Sequence, residues 1–170
     1  MGSMPEPSVR PGSLSDLDTI AEIYAHYVAT SVATFELEPP DGAEWARRYE
    51  AIVDAGLPFL VTERDGVLAG YAYCAPWKTR PAYRATVEDS VYVAPWAIGR
   101  RCGTELVSAL LDECRSAGIR EVIAVVADTG DPASVELHRR FGFVDAGRLT
   151  RVGYKHERWI DTLLLQCTLA

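Results

Sequence analysis

At 170 residues, 48% hydrophobic and 24% charged, the chain has the make-up of one ordinary globular domain, long enough to bury a sizeable core. A net charge of −7 argues against a general nucleic-acid binder, no apolar run reaches the length of a membrane span, and no signal-peptide core is found. The four cysteines (Cys74, Cys102, Cys114, Cys167) include no C-x-x-C pair and no histidine at ligand spacing, which disfavours zinc and a disulfide framework and points to a reduced, cytoplasmic protein.

The leading MGSM reads as an expression scar, with residues 1–8 a flexible N-terminus and residues 9–170 one domain. A short strand is expected near Val9. Leu17, Ile20, Ala21, Tyr24, Tyr27 and Val28 recur at spacings of three and four, a helical stripe, and Ser15 with Asp18 has the form of a capping box. TSVATFELEPP ends that helix in a double proline. A second helix begins at Asp41, with Glu44 as its capping partner, and stops at Gly56. Two apolar strands then flank Asp65-Gly66, a hairpin-turn signature.

The loop KTRPAYR leads into a longer strand, Thr86 to Val93. A helix from about Gly103 to Ala117 carries Leu106, Leu110, Leu111 and Cys114 on one face. REVIAVVAD reads as a buried strand, and PASVELHRRFG as a short helix with Pro132 in its first turn and Gly142 beyond its end. FVDAGRLTRVG and RWIDTLLLQCTL are the last two strands. This order describes a mixed α/β layer protein of α+β type with a single open sheet.

In VYVAPWAIGRRCGTELVSALL a strand, a tight turn and a helix N-terminus follow one another, where backbone N–H groups can cradle a phosphate. Gly99 and Gly103 flank Arg100, Arg101 and Cys102, so the middle of this turn is bulky and cationic. The element order with this segment at its centre resembles the Gcn5-related N-acetyltransferase (GNAT) superfamily. ATFELEPP, GYAYCAPWKTRPAYRATVEDSVYV, SVELHRRFGF and VGYKHERWID are similar, more narrowly, to the phosphinothricin and methionine sulfoximine N-acetyltransferase group, from about Val9 to Leu169. The resemblance implies an open, mostly antiparallel sheet flanked by helices, and a homodimer. It also implies direct transfer of acetyl from acetyl-CoA to the α-amine of a small amino acid, with no acyl-enzyme and no metal.

Amine acylation needs a neutral amine, so a base must accept a proton. Glu88 matches the group's general base, and strand alternation puts Glu88, Ser90 and Tyr92 on one face; the alternative is a salt-bridged surface glutamate. His138 matches a position used near the reaction centre, as a proton relay or substrate-orienting group, against a buried histidine bonded to a backbone carbonyl. His156 lies in a group-specific motif with no chemical step assigned to it. For the amino-acid substrate the resemblance offers Lys78, Arg80 and Tyr83, of the right types to bind a carboxylate and a polar head, with Phe35 and Tyr92 as further contacts. For acetyl-CoA it offers the backbone of Val91 and Val93, the turn Gly99, Arg100, Arg101, Cys102, Gly103 and Thr104, and Ser134 at a helix start, where a plain capping role is the alternative.

The turn departs from the superfamily pattern. Ile98 and Arg101 stand at two of its three fixed positions, only Gly103 is kept, and Asp131 replaces a common asparagine. Either the arginines pair with the phosphates, or Arg101 fills the cradle, and a non-glycine there is strained if the turn needs positive φ. The first outcome keeps the acetyltransferase. The second leaves a GNAT-fold protein with another acyl donor, or a non-catalytic amino-acid-binding protein.

Overall fold

The computed structural model describes residues 8–169, so the expected scar and most of the N-terminal segment lie outside the described residues. The elements follow the expected order: β1 (Val9–Pro11), α1 (Leu17–Thr30), α2 (Gly42–Asp54), β2 (Phe59–Arg64), β3 (Val67–Pro76), β4 (Thr86–Val93), α3 (Cys102–Ser116), β5 (Glu121–Ala127), α4 (Ala133–Arg140), β6 (Val144–Lys155) and β7 (Arg158–Thr168). They form one seven-stranded sheet in the order β1-β2-β3-β4-β5-β7-β6. Every pairing is antiparallel except β4 with β5, which α3 joins as a crossover.

Two apolar clusters sandwich the sheet. Leu106, Leu110, Leu111 and Cys114 of α3 pack with Val87, Val122 and Leu165 on one side. Ile20, Tyr24 and Val28 of α1 pack with Trp45, Val61 and Tyr71 on the other. All four cysteines are buried and free, and Cys74 and Cys114 meet thiol to thiol at 3.4 Å.

Local chemistry accounts for the boundaries. Asp41 caps α2 by accepting from the Glu44 N–H at 2.8 Å. Asp65 (φ 54°) and Gly66 (φ 77°) make the two-residue hairpin between β2 and β3. The capping box before α1 differs from the expected one: it is Ser13 with Asp16, followed by a single 3₁₀ turn, Leu14–Asp16. Arg10 decides this, because its guanidinium grips both oxygens of Asp16 at 2.8 and 2.9 Å and holds that carboxylate two residues ahead of Asp18.

Candidate active site

The parallel ladder between β4 and β5 is short. Thr86, Val87 and Glu88 pair with Glu121, Val122 and Ile123, and there the ladder ends. On its other edge β4 pairs with β3 along its whole length. The Ala94 N–H donates to Ala69 O and the Trp77 N–H to Thr86 O, so the even-numbered residues of β4 bond to β3. The main-chain groups of Val91 and Val93 therefore face the fork that opens beyond Glu88. The Val93 carbonyl already accepts from the Tyr27 hydroxyl, which leaves the Val93 N–H and the Val91 groups to meet a ligand.

Glu88 stands at the mouth of this fork, half-buried on the α1/α2 face. Burial pushes its carboxyl above the usual carboxylate range, the neighbouring Asp89 charge adds to the rise, and the Lys78 ammonium partly offsets both. Around it the face is aromatic. Tyr92 meets Tyr24 edge-on at 5.2 Å and stacks with Tyr71 at 5.5 Å. Lys78 lies over the Trp77 ring at 4.8 Å, in the exposed loop before β4. Arg80 and Tyr83 sit on the exposed turn of that loop, and no contact among the described residues ties them to Glu88.

Phe35 is held from both sides. Its loop is fixed by the Tyr24–Thr34 hydroxyl bond (2.6 Å), by Glu36–Arg48 (2.7 Å) and by the Lys155 ammonium, which donates to Thr34 O at 2.8 Å. Lys155 is only 3% exposed, and burial lowers its pKa although the Glu36 charge opposes this. On the other side the Phe35 ring covers Gly153, where a Cβ would overlap the ring. Gly153 and Lys155 both fall in the VGYKH motif, so that motif packs the Phe35 loop. His156, within it, takes a different part: with Glu157 it forms the positive-φ turn joining β6 to β7 (φ 50° and 59°).

His138 does not join this face, and its contacts match the alternative of a buried histidine bonded to a backbone carbonyl rather than a proton relay. It packs on the α3/α4 side, 4% exposed, and both ring nitrogens are occupied. Nδ1 bonds Ser134 O and Nε2 bonds Asp89 Oδ2, each at 2.7 Å, while Phe143 meets the ring edge-on. A carbonyl only accepts, so Nδ1 carries a proton; the carboxylate also accepts, so the pair is best satisfied by the imidazolium. Burial opposes that charge, but Asp89 and Ser134 outweigh it and the His138 pKa is raised. The sign follows by linkage: the stabilisation is complete below about 6.5, the ordinary histidine value, and is lost as pH rises through the higher folded value. A urea midpoint that falls over this range, and loses that slope in His138→Ala, is the expected result; an identical slope in the variant contradicts the assignment.

The turn before α3 has an unusual backbone. Arg101 adopts the left-handed region (φ 66°, ψ 17°) as the residue preceding α3, and Gly99 has φ 83°. The Arg101 side chain is exposed and makes no hydrogen bond or ion pair among the described residues. Arg100 is engaged elsewhere, paired with Asp65 at 3.1 Å and lying over Trp96. Cys102 is 1% exposed, so its thiol does not serve a ligand. Gly103 serves packing: a Cβ there would lie 3.1 Å from Leu137 of α4. The N–H groups of Cys102, Gly103 and Thr104 open α3 without intrahelical acceptors and fit a phosphate. Asp131 accepts from the Ala133 N–H at 3.0 Å and caps α4, and Ser134, one residue into the helix, leaves its side chain exposed.

The site is thus a strand fork ending at a half-buried carboxylate, beside a helix N-terminus with free donors. The profile of the acetyltransferase (GNAT) family matches residues 20–143. The chain belongs to that family. This acetyltransferase is 52% identical to a phosphinothricin N-acetyltransferase of Alcaligenes faecalis, over 89% of its own length and 77% of the relative's. It is 34% identical to an L-methionine sulfoximine/L-methionine sulfone acetyltransferase of Pseudomonas paraeruginosa, covering 95% and 94% of the two chains. A crystal structure of a GNAT phosphinothricin acetyltransferase from Sinorhizobium meliloti in complex with acetyl-CoA superposes with a TM-score of 0.93 at 40% identity, covering 96% of this acetyltransferase and 89% of that chain.

Sequence reasoning missed Gly153, Lys155, Glu36 and Arg48. Gly153, Lys155 and Glu36 fall inside the segments VGYKHERWID and ATFELEPP that carry the resemblance, whereas Arg48 carried no such signal.

Proposed function

We propose that this enzyme acetylates the α-amine of a small amino acid with a tetrahedral head group, such as phosphinothricin or methionine sulfoximine, using acetyl-CoA. Glu88 at the mouth of the β4–β5 fork is the observation that carries the reading, because the fork delivers main-chain groups to one ligand and a raised-pKa carboxylate to another. Acetyl-CoA, when bound, supplies the activated acyl group. The main chain of Val91 and Val93 would hold its pantetheine arm, and the α3 N–H groups its pyrophosphate. Glu88 accepts the proton of the incoming ammonium, and its raised pKa keeps the carboxylate a better base at neutral pH. Lys78, Arg80 and Tyr83 hold the substrate's anionic groups, and Phe35 and Tyr92 line its side chain. His138 acts through Asp89, fixing β4 against α4.

Release of CoA thiol with phosphinothricin, methionine sulfoximine, methionine sulfone, glutamate and methionine as acceptors tests the substrate class. Faster turnover of the tetrahedral-headed compounds supports it; a preference for glutamate or methionine contradicts it. Lys78→Met moves the acid limb of kcat/KM to higher pH, since the cation that holds Glu88 down is gone. An unmoved limb would separate the two residues.

We further infer a homodimer in the cytoplasm. Val144, Leu149, Val152, Tyr154 and Trp159 leave a large apolar surface exposed on the β6–β7 hairpin, and the exposed Arg80 is available to a neighbouring subunit. Four free thiols accord with a reducing compartment. Sedimentation of a single monomeric species at micromolar concentration would contradict the dimer.

A further inference from the structure

We propose that Arg64 is a positioning residue for the phosphate cradle, holding in place a turn whose own residues do not favour it; this rests on the acetyl-CoA reading above. Arg101 bears a side chain in the left-handed region, an unfavourable conformation that persists only where the surroundings impose it. The surroundings here are the end of β2. One amino group of the Arg64 guanidinium is anchored at home, donating to Thr62 Oγ1 (3.1 Å), Glu63 O (2.8 Å) and Ser8 Oγ (3.3 Å). The other reaches across and donates to Arg100 O (2.9 Å) and Glu105 Oε2 (2.8 Å).

These two bonds bracket Arg101, one on the residue before it and one in the first turn of α3. The hairpin's next residue adds a third tie, Asp65 to Arg100. The grip is well shielded, with the Arg64 side chain 15% exposed. It also answers a charge problem. Glu105 sits in the first helical turn, where its carboxylate would repel a pyrophosphate, and Arg64 neutralises it. The bulky, cationic middle of the turn is thus tolerated because support comes from the neighbouring hairpin instead of from glycine.

The test is calorimetric titration of acetyl-CoA into the parent, Arg64→Ala, Arg64→Lys, Arg101→Gly and the double variant Arg64→Ala/Arg101→Gly, with steady-state kinetics alongside. Arg64→Ala should weaken acetyl-CoA binding roughly tenfold, with saturated kcat and acceptor KM within about twofold. Arg64→Lys, which keeps the charge on Glu105 but not the fork, should fall between. Glycine takes the left-handed turn freely, so in the Arg101→Gly background the loss from Arg64→Ala should shrink to under about threefold. Parent-like binding by Arg64→Ala, an equal loss in both backgrounds, or a matching rise in acceptor KM would overturn the proposal. A parent that takes up no acetyl-CoA would instead overturn the donor assignment itself.

Discussion

Glu88→Gln lowers kcat by about 10²–10⁴-fold while leaving acetyl-CoA affinity within about twofold. The amide keeps the size and shape of the carboxylate but cannot take a proton. Glu88 is the last β4 residue paired with β5, and in the proposed reading the two substrates meet there, away from the phosphate end. Burial and Asp89 raise its pKa above the ordinary 4.5. The acid limb of kcat/KM should therefore lie above that value in the parent and vanish in Glu88→Gln, leaving only the ionisation of the amine. Turnover that is undiminished across the pH series would remove Glu88 from the reaction.

Gly153→Ala should raise the acceptor KM about tenfold and leave the acetyl-CoA KM unchanged. The added Cβ overlaps the Phe35 ring, and the loop cannot simply retreat, since Thr34 and Glu36 are tied to Tyr24, Lys155 and Arg48. Overpacking of this kind costs about 1–3 kcal/mol, here borne by Phe35, which the proposal places in the wall of the acceptor site. In a Phe35→Ala background the same substitution should be nearly neutral, because the obstacle is gone. Additive losses, or an equal rise in the acetyl-CoA KM, would place the damage elsewhere.

The fold was legible because its signals are local. Thr86–Val93 coincides with β4 as read from residue alternation, and Asp65-Gly66 and Asp41 act as their chemistry dictates. The resemblance carried the candidate site further than periodicity could. What escaped depends on side chains meeting from distant elements. For His138 the alternative of a buried histidine bonded to a backbone carbonyl describes its Nδ1 contact with Ser134 O, but nothing local announces that Asp89 occupies its other nitrogen. Nothing near Arg100 in the chain shows that Asp65, in the β2–β3 turn, lies within reach of its guanidinium. Arg64 carries no motif; it matters only because the β2–β3 hairpin lies beside the α3 turn. The bulge in β6 between Leu149 and Gly153, where the Arg151 N–H donates to Asp161, likewise follows from partner strands that no single segment reveals.

The measurement that bears most directly on acetyl transfer is NMR of carbonyl-labelled acetyl-CoA mixed with L-phosphinothricin and enzyme. The thioester carbonyl signal should give way to that of an N-acetyl amide with the parent protein, and the conversion should slow by at least about a hundredfold with Glu88→Gln. A thioester that persists with the parent, or converts equally fast with the variant, would contradict an acetyl transfer driven from the fork by Glu88.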